Sequence, residues 1–370
     1  MTGPIDRALQ LARRSVGLSE PNPRVGCVLA GADGAVLAEG FTQQAGGPHA
    51  EIVALRAAAA AGRDVRGATA YVTLEPCSHH GRTGPCCDAL VAAGIARVVA
   101  SCVDPNPLVG GRGFDRLRAA GVQVEVGPGA AGTRELNPGF FSRMVRGTPW
   151  VRMKVAASLD GRTALDDGTS QWITGEPARA DGHAWRARAT AVLTGIGTVL
   201  QDDPRLDVRH VATPRQPDCV LVDSRLEIPP SARLFMPGRR LWIYTAVDDA
   251  ARRARVEALG AEVIALPGPG GKVDLAALLR DLARREVNEL HVEAGFKLNG
   301  SLVREGLVDE LLVYLSPSLV GQGQGMANIG PLQALADKVP LRFVSVDRVG
   351  EDLRIVARVR GRDSFLLSGD

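Results

Sequence analysis

Short apolar runs alternate with helix-like segments along almost the whole chain, and that alternation leaves an α/β architecture as the reading of fold class. The spacing predicts an amphipathic helix over residues 5–15, then strands at 25–30 and 35–40 joined by a turn with Asp33-Gly34 at its tip. An Ala-rich helix over 50–61 is closed by Gly62, followed by a strand at 70–74 and a helix at 86–93 ended by Gly94. A strand at 97–102, a helix at 114–120 ended by Gly121 and a strand at 122–126 complete the series.

Composition shifts between Gly127 and Pro149. Gly127-Pro128-Gly129 and Gly147-Thr148-Pro149 both break regular structure around a short helix-like segment. We therefore expect two domains, 1–147 and 148–370, which suits a chain of 370 residues when domains run to about 100–200. The second series has strands near 151–156, 191–194, 219–222, 241–245, 262–265, 289–293 and 310–315, and closes with an antiparallel pair at 341–346 and 353–359. No internal repeat or low-complexity tract interrupts it.

The charge balance excludes some functions. The net charge is +3 and aromatic residues make up 4%, too little for a basic, base-stacking nucleic-acid surface. Residues 1–16 alternate apolar and charged side chains without the apolar centre of a signal peptide, and no uninterrupted apolar stretch is long enough for a bilayer. Cysteines stand at 27, 77, 86, 87, 102 and 219, too sparse for a disulfide framework. The expectation is a cytoplasmic protein without membrane or nucleic-acid partners.

The chemistry begins with His49-Ala50-Glu51, followed by Pro76-Cys77 and Cys86. One imidazole and two thiolates leave a fourth position open on zinc, as catalytic zinc sites do. His49 and Cys86 both start predicted helices, where free amides and the dipole favour thiolate. Glu51 is close enough to shuttle a proton from a metal-activated water to a leaving amine without being a ligand. A structural zinc site would want a fourth ligand, for which Cys87, His79 and His80 compete. The usual deaminase spacing puts two residues between the cysteines, whereas eight separate Cys77 from Cys86.

That expanded loop, Thr-Leu-Glu-Pro-Cys-Ser-His-His-Gly-Arg-Thr-Gly-Pro-Cys at 73–86, resembles the zinc loop of the bifunctional riboflavin-biosynthesis deaminase/reductase family. So do Pro-Asn-Pro-Arg-Val-Gly at 21–26 and Asp-Pro-Asn-Pro at 104–107. The resemblance continues in Ala-Ala-Ser-Leu-Asp-Gly-Arg-Thr at 156–163, Ser-Gln-Trp-Ile-Thr at 170–174 and Asp-Asp-Pro-Arg-Leu at 202–206. It ends with Val-Glu-Ala-Gly at 292–295 and Gly-Leu-Val-Asp-Glu at 306–310. Two positions depart from the family: Gly84 stands where a second Pro is usual, and Val53 where a His is frequent.

The resemblance implies a cytidine-deaminase-like α/β/α domain followed by a dihydrofolate-reductase-like α/β domain. It implies zinc on His49, Cys77 and Cys86, with Glu51 as proton shuttle. The implied substrate is a phosphorylated pyrimidine, 2,5-diamino-6-(5-phosphoribosylamino)pyrimidin-4(3H)-one. Its 2-amino group is hydrolysed off, and NADPH then reduces the ribosyl to a ribityl chain. Asn22 is a candidate ring contact or simply a turn residue, and Arg82 a candidate phosphate contact or a solvated loop residue. In the second half the Gly-x-Gly-x-x-Gly fingerprint is absent, since Gly195-Ile196-Gly197 lacks its third glycine. There the resemblance assigns NADPH contacts to Ala156, Trp172, Thr198, Asp202 and Ser224. It adds the loop Gly295, Phe296, Lys297, Leu298, Asn299, Gly300 and Ser301. Substrate contacts fall to Ser170, Arg186, Leu206, Arg209 and Glu293, the two arginines as a phosphate clamp. Trp172 could equally be core, and Arg186 part of a solvated face with Arg179 and Arg188. Lys154, one of only four lysines, stands out on a strand. A homo-oligomer, dimer or tetramer, is expected by analogy.

Overall fold

A computed structural model describes residues 3–78, 84–107 and 109–367. The chain divides into two compact units, Met1–Gly147 with Ser364–Asp370, and Thr148–Asp363.

In the first unit α1 (Pro4–Ala12) precedes β1 (Gly26–Ala30) and β2 (Val36–Phe41). There follow α2 (Ala50–Ala60), β3 (Thr69–Val72), α3 (Cys86–Ala92), β4 (Arg97–Ala100), α4 (Arg112–Ala119), β5 (Gln123–Val126), α5 (Ala130–Leu136) and α6 (Pro138–Arg146). The sheet order is β2-β1-β3-β4-β5; β1 is antiparallel to both neighbours, and β3, β4 and β5 run parallel. Helix α1 is shorter than expected because Arg13–Ser15 tighten into a 3-10 turn. Two glycines let helices lie almost on the sheet. A Cβ on Gly26 would overlap the Ala8 carbonyl, and one on Gly40 the Ala50 carbonyl. The second approach seats the start of α2 against β2, and with it His49 and Glu51.

The second unit contains β6 (Trp150–Ser158), β7 (Arg162–Ala164), α7 (Glu176–Arg188), β8 (Ala191–Gly195), α8 (Ile196–Asp202) and β9 (Asp218–Val222). It continues with β10 (Leu241–Thr245), α9 (Ala250–Glu257), β11 (Glu262–Ala265), α10 (Leu275–Arg284), β12 (Glu289–Val292) and α11 (Phe296–Arg304). The last strands are β13 (Glu310–Ser316), β14 (Gln324–Gly325), β15 (Leu341–Val349) and β16 (Asp352–Val359). Nine strands form one sheet in the order β11-β10-β9-β8-β12-β6-β13-β16-β15. Every pairing from β11 to β13 is parallel, and the last two are antiparallel. The small β14-β7 sheet was not expected from the sequence.

One face of β6 is apolar. Val151, Met153 and Val155 join Leu278, Leu282 and Val292 in a buried cluster. The other face carries Arg152 and Lys154, beside Glu289 and His291 of β12 and Glu293 just after it, and lies under α7. Arg152 reaches Glu289 at 2.8 Å and Glu310 at 2.6 Å, and its guanidinium stacks 4.5 Å from the Trp185 ring. Arg188 and Arg358 complete the network on the same two carboxylates. Removing one member of a buried ion network leaves the others uncompensated, at about 3–5 kcal/mol. Arg152→Ala should therefore lower stability by about that amount in denaturant unfolding of the second unit. A loss below about 1 kcal/mol would mean that solvent screens these charges.

The expected second domain, 148–370, is shortened at its end. The helix α12 (Ser364–Leu367) packs in the first unit, with Phe365 4.6 Å from the Arg146 guanidinium and Leu366 buried. Among the described residues no helix is long and apolar enough to cross a membrane.

Candidate functional sites, a metal centre and a cofactor cavity

In the first unit His49 is the N-cap of α2 and Cys86 the first residue of α3. Cys77 follows β3 in the loop between them. His49 Nδ1 lies 3.5 Å from Cys77 Sγ and 3.4 Å from Cys86 Sγ, and the three ligand atoms fall within 4.8 Å of one another. This is the one such metal-binding cluster among the described residues. The donor set suits zinc: two thiol sulfurs and one ring nitrogen converge, and both helices present N-termini to them. The Cys86 amide donates to Cys77 Sγ at 3.3 Å. The Cys86 side chain, together with His49, pulls the Cys77 thiol below its usual range, while Cys86 itself is raised.

Glu51 sits in the first turn of α2, 3% exposed, and burial pushes its carboxyl up to about 7 against the opposing influence of His49. Cys87, a competing fourth ligand in the sequence, turns away: its thiol donates to the Pro76 carbonyl at 3.0 Å, and burial raises it to about 12. His79, His80 and Arg82 lie outside the described residues. Among the described residues nothing lies within 4 Å of where a Cβ on Gly84 would stand. The Asn22 amide closes a turn onto the Ser19 carbonyl at 2.8 Å.

Two buried ionisable side chains that sequence reasoning passed over stand in this unit, and the first of them holds the metal cluster. The Glu75 carboxylate accepts from the amides of Asp104 (3.1 Å), Gly111 (2.9 Å), Gly113 (2.8 Å) and Phe114 (3.3 Å). It thereby pins Pro76-Cys77 to the segment that follows β4. Gly113 is needed there, because a Cβ would overlap the Pro76 carbonyl. Arg24, 2% exposed, pairs with Glu20 at 2.9 Å and donates to the Leu136 carbonyl at 2.7 Å. Both residues belong to motifs quoted above, so the signal was in the sequence; only the burial was invisible.

In the second unit a cavity of about 530 Å³ opens at the carboxyl ends of β6, β8 and β12. Ligands of parallel sheets gather at that edge, and the volume is that of a small-molecule site. Of the expected residues, Ala156, Ser170, Trp172, Arg186, Thr198, Asp202, Leu206, Arg209, Glu293, Gly295, Phe296 and Asn299 line it. Lys154, Arg179, Arg205 and Arg233 line it too, and had not been assigned. Five arginines and the N-terminus of α11 make a cationic wall that suits a polyanionic dinucleotide. Trp172 is no core residue: it is 66% exposed, with the Arg179 guanidinium 4.6 Å over its ring.

The other expected cofactor residues stand elsewhere. Ser224 is not among the lining residues; its hydroxyl accepts from the Val273 amide at 3.2 Å. Lys297, Leu298, Gly300 and Ser301 are also absent from the lining, on the far sides of the first turns of α11. Leu298 packs over Gly195, and Gly300 admits the backbone of Asn328 where a Cβ would clash. The Ser301 hydroxyl turns back to the Lys297 carbonyl at 3.3 Å.

Arg186 differs most from expectation. It is 8% exposed and grips Glu293 with two nitrogens, Nε to Oε1 at 2.6 Å and Nη2 to Oε2 at 2.9 Å. Burial works against the Glu293 charge, but Arg186 and Lys154 outweigh it and hold the carboxyl well below its usual range. Arg209 instead is largely open to the cavity, its guanidinium resting on Asp207 at 2.8 Å.

Two family models match the chain. The cytidine and deoxycytidylate deaminase zinc-binding region covers residues 4–102, and the RibD C-terminal domain covers 149–355. The riboflavin biosynthesis protein RibD of Escherichia coli is 45% identical over 360 residues, spanning 94% of this chain and 96% of that one. Its counterpart from Aquifex aeolicus is 38% identical over 348 residues, spanning 94% and 95%. A solved structure of Acinetobacter baumannii RibD matches with a TM-score of 0.89 at 39% identity, covering 96% of this chain and 98% of that one. The Thermotoga maritima diaminohydroxyphosphoribosylaminopyrimidine deaminase/5-amino-6-(5-phosphoribosylamino)uracil reductase matches with a TM-score of 0.83 at 32% identity, covering 96% and 97%.

Proposed function

This chain belongs to the RibD family of bifunctional deaminase–reductases in riboflavin biosynthesis, and from that premise we propose which of its residues carry the two reactions. Its cofactors are zinc and NADPH. His49, Cys77 and Cys86 hold the zinc, which supplies a Lewis acid that makes water nucleophilic near neutral pH. Glu51 takes a proton from the water that adds to the pyrimidine carbon and passes it to the amine that leaves as ammonia. The substrate is the 2,5-diamino-6-(5-phosphoribosylamino)pyrimidinone, and the product the corresponding uracil.

In the second unit the cavity takes NADPH, which supplies the hydride that turns the opened ribosyl chain into ribityl. Ala156, Trp172, Thr198, Asp202 and the Gly295 turn bind the cofactor, with Phe296 and Asn299 of α11. Ser170, Leu206 and Arg209 receive the phosphorylated uracil beside Glu293. Domains 1–147 and 148–363 divide the two activities between them, with α12 returning to the first.

The observation that carries this reading is the three-ligand cluster with the buried Glu51 beside it. Supplied with the diaminopyrimidine substrate and NADPH, the protein should release ammonia and then consume an equal amount of NADPH, read by absorbance. Ammonia without NADPH loss would remove the reductase half of the reading.

The six free cysteines suit the cytoplasm. A second copy pairs along β15, the edge strand, where Leu341, Phe343, Val344 and Val346 stand exposed. Sedimentation of the same preparation should give a dimer or tetramer mass; a monomer at micromolar concentration would contradict it.

A further inference from the structure

Resting on the reading that Glu293 works at the reductase centre, we infer that Arg186 is a positioning residue. It fixes the Glu293 carboxylate in the cavity wall and ties it to the loop that carries Arg205 and Arg209.

The donor count is the first reason. A guanidinium has five N–H groups. Two go to the two oxygens of Glu293, at 2.6 and 2.9 Å. A third, on Nη1, goes to the Asp207 carbonyl, and Nη1 also faces His183 Nδ1 at 3.3 Å. His183 Nδ1 accepts from the Arg209 amide at 3.4 Å as well, so this nitrogen carries no proton. Burial, reinforced by Arg186 and Arg209, lowers the ring to about 4 and keeps it neutral. Four of the five donors are therefore placed, and the fifth cannot make the two-pronged contact that a phosphate clamp requires.

The second reason is what else faces Glu293. Lys154 Nζ of β6 lies 4.0 Å from Oε2, and His291 Nε2 of β12 lies 3.6 Å from Oε1. His291 is fully buried, with neither ring nitrogen hydrogen-bonded. Among the described residues Arg186 alone hydrogen-bonds the Glu293 side chain. Without it the carboxylate keeps its charge neighbours but loses the fork that sets its orientation.

The third reason is the connection onward. Asp207, whose carbonyl Arg186 holds, receives Arg205 at 2.9 Å and Arg209 at 2.8 Å on its carboxylate. One guanidinium thus spans the acidic group at the cavity wall and the turn that presents the two open arginines. A substrate drawn to that turn meets a carboxylate whose place is set by the same residue.

The test is steady-state reduction of 5-amino-6-(5-phosphoribosylamino)uracil by NADPH, on the full chain. Arg186→Lys keeps the charge and loses the fork. It should cut kcat about 10–100-fold, as a misplacement near 1 Å does, while KM for the uracil substrate moves less than about threefold. Arg186→Leu should fall further, so that lysine is a partial rescue. Arg209→Ala should do the reverse, raising KM with kcat nearly kept. If Arg186→Leu fails to fold, Arg186→Lys decides, with an unchanged melting temperature as its control. A raised KM with kcat intact in Arg186→Lys would make Arg186 a substrate ligand and overturn the inference. Glu293→Gln separates the two layers. If it leaves kcat at the wild-type level, the reading of Glu293 falls; if it lowers kcat and Arg186→Lys does not, only the positioning role falls.

Discussion

Glu51→Gln should leave zinc at its full stoichiometry, leave reduction of the supplied uracil intact, and lower deamination by about 10²–10⁴-fold. The amide is nearly isosteric with the acid, so the first turn of α2, the His49 N-cap and the packing of Ala50 and Ala54 are undisturbed. What changes is the chemistry of one side chain. A carboxylate accepts a proton from water and returns it to the departing nitrogen; an amide does neither. Because Glu51 is 3% exposed, bulk water has little access through which to replace it. Metal content by atomic absorption and ammonia release read the two halves separately. Deamination within about tenfold of wild type would remove Glu51 from the proton path, and lost zinc would make it a ligand instead.

The sequence made the alternation of strands and helices legible because apolar runs of the parallel sheet are continuous, as in 191–194 and 241–245. Helix ends were legible where glycine closes them. They failed where the turn tightened instead, at Arg13–Ser15, and where the polypeptide returned to its first unit, at Ser364–Leu367. Periodicity says that Phe365 and Leu366 need cover, but not which core gives it. The cluster of His49, Cys77 and Cys86 was legible because its chemistry is local: metal-binding residue types at the starts of two helices and in the loop after a strand. Arg186 was not. Its spacing from Arg179 and Arg188 in α7 reads as a charged surface, and a charged helix face is solvated by default. Here the sheet beneath α7 is itself charged, with Glu289 of β12 and Glu293 just past its end meeting Arg188 and Arg186. That pairing of two polar faces is a tertiary fact. Glu75 was missed for a related reason, since its partners are four backbone amides, which leave no mark in a sequence.

Cys77→Ser should empty the metal site and abolish deamination, while the reductase activity of the same chain persists. Zinc at a three-residue site depends on every ligand, and the thiolate is the form that binds. The hydrogen bonding of Cys86 and His49 draws the Cys77 thiol below its usual range, toward the form that binds. A serine hydroxyl has no comparable acidity, and its shorter bond to Cβ draws the oxygen away from a metal that His49 and Cys86 still face. The backbone gives no relief, because Glu75 pins the preceding residue through amides on the far segment. Cys87→Ser is the matched control. Its thiol donates to the Pro76 carbonyl at 3.0 Å, a hydroxyl makes the same bond, and zinc should stay. NADPH-dependent reduction of the uracil substrate, in a unit whose core contains none of these residues, should match wild type in both variants. Zinc retained in Cys77→Ser would mean that another residue completes the site; zinc lost in Cys87→Ser would make Cys87 that residue.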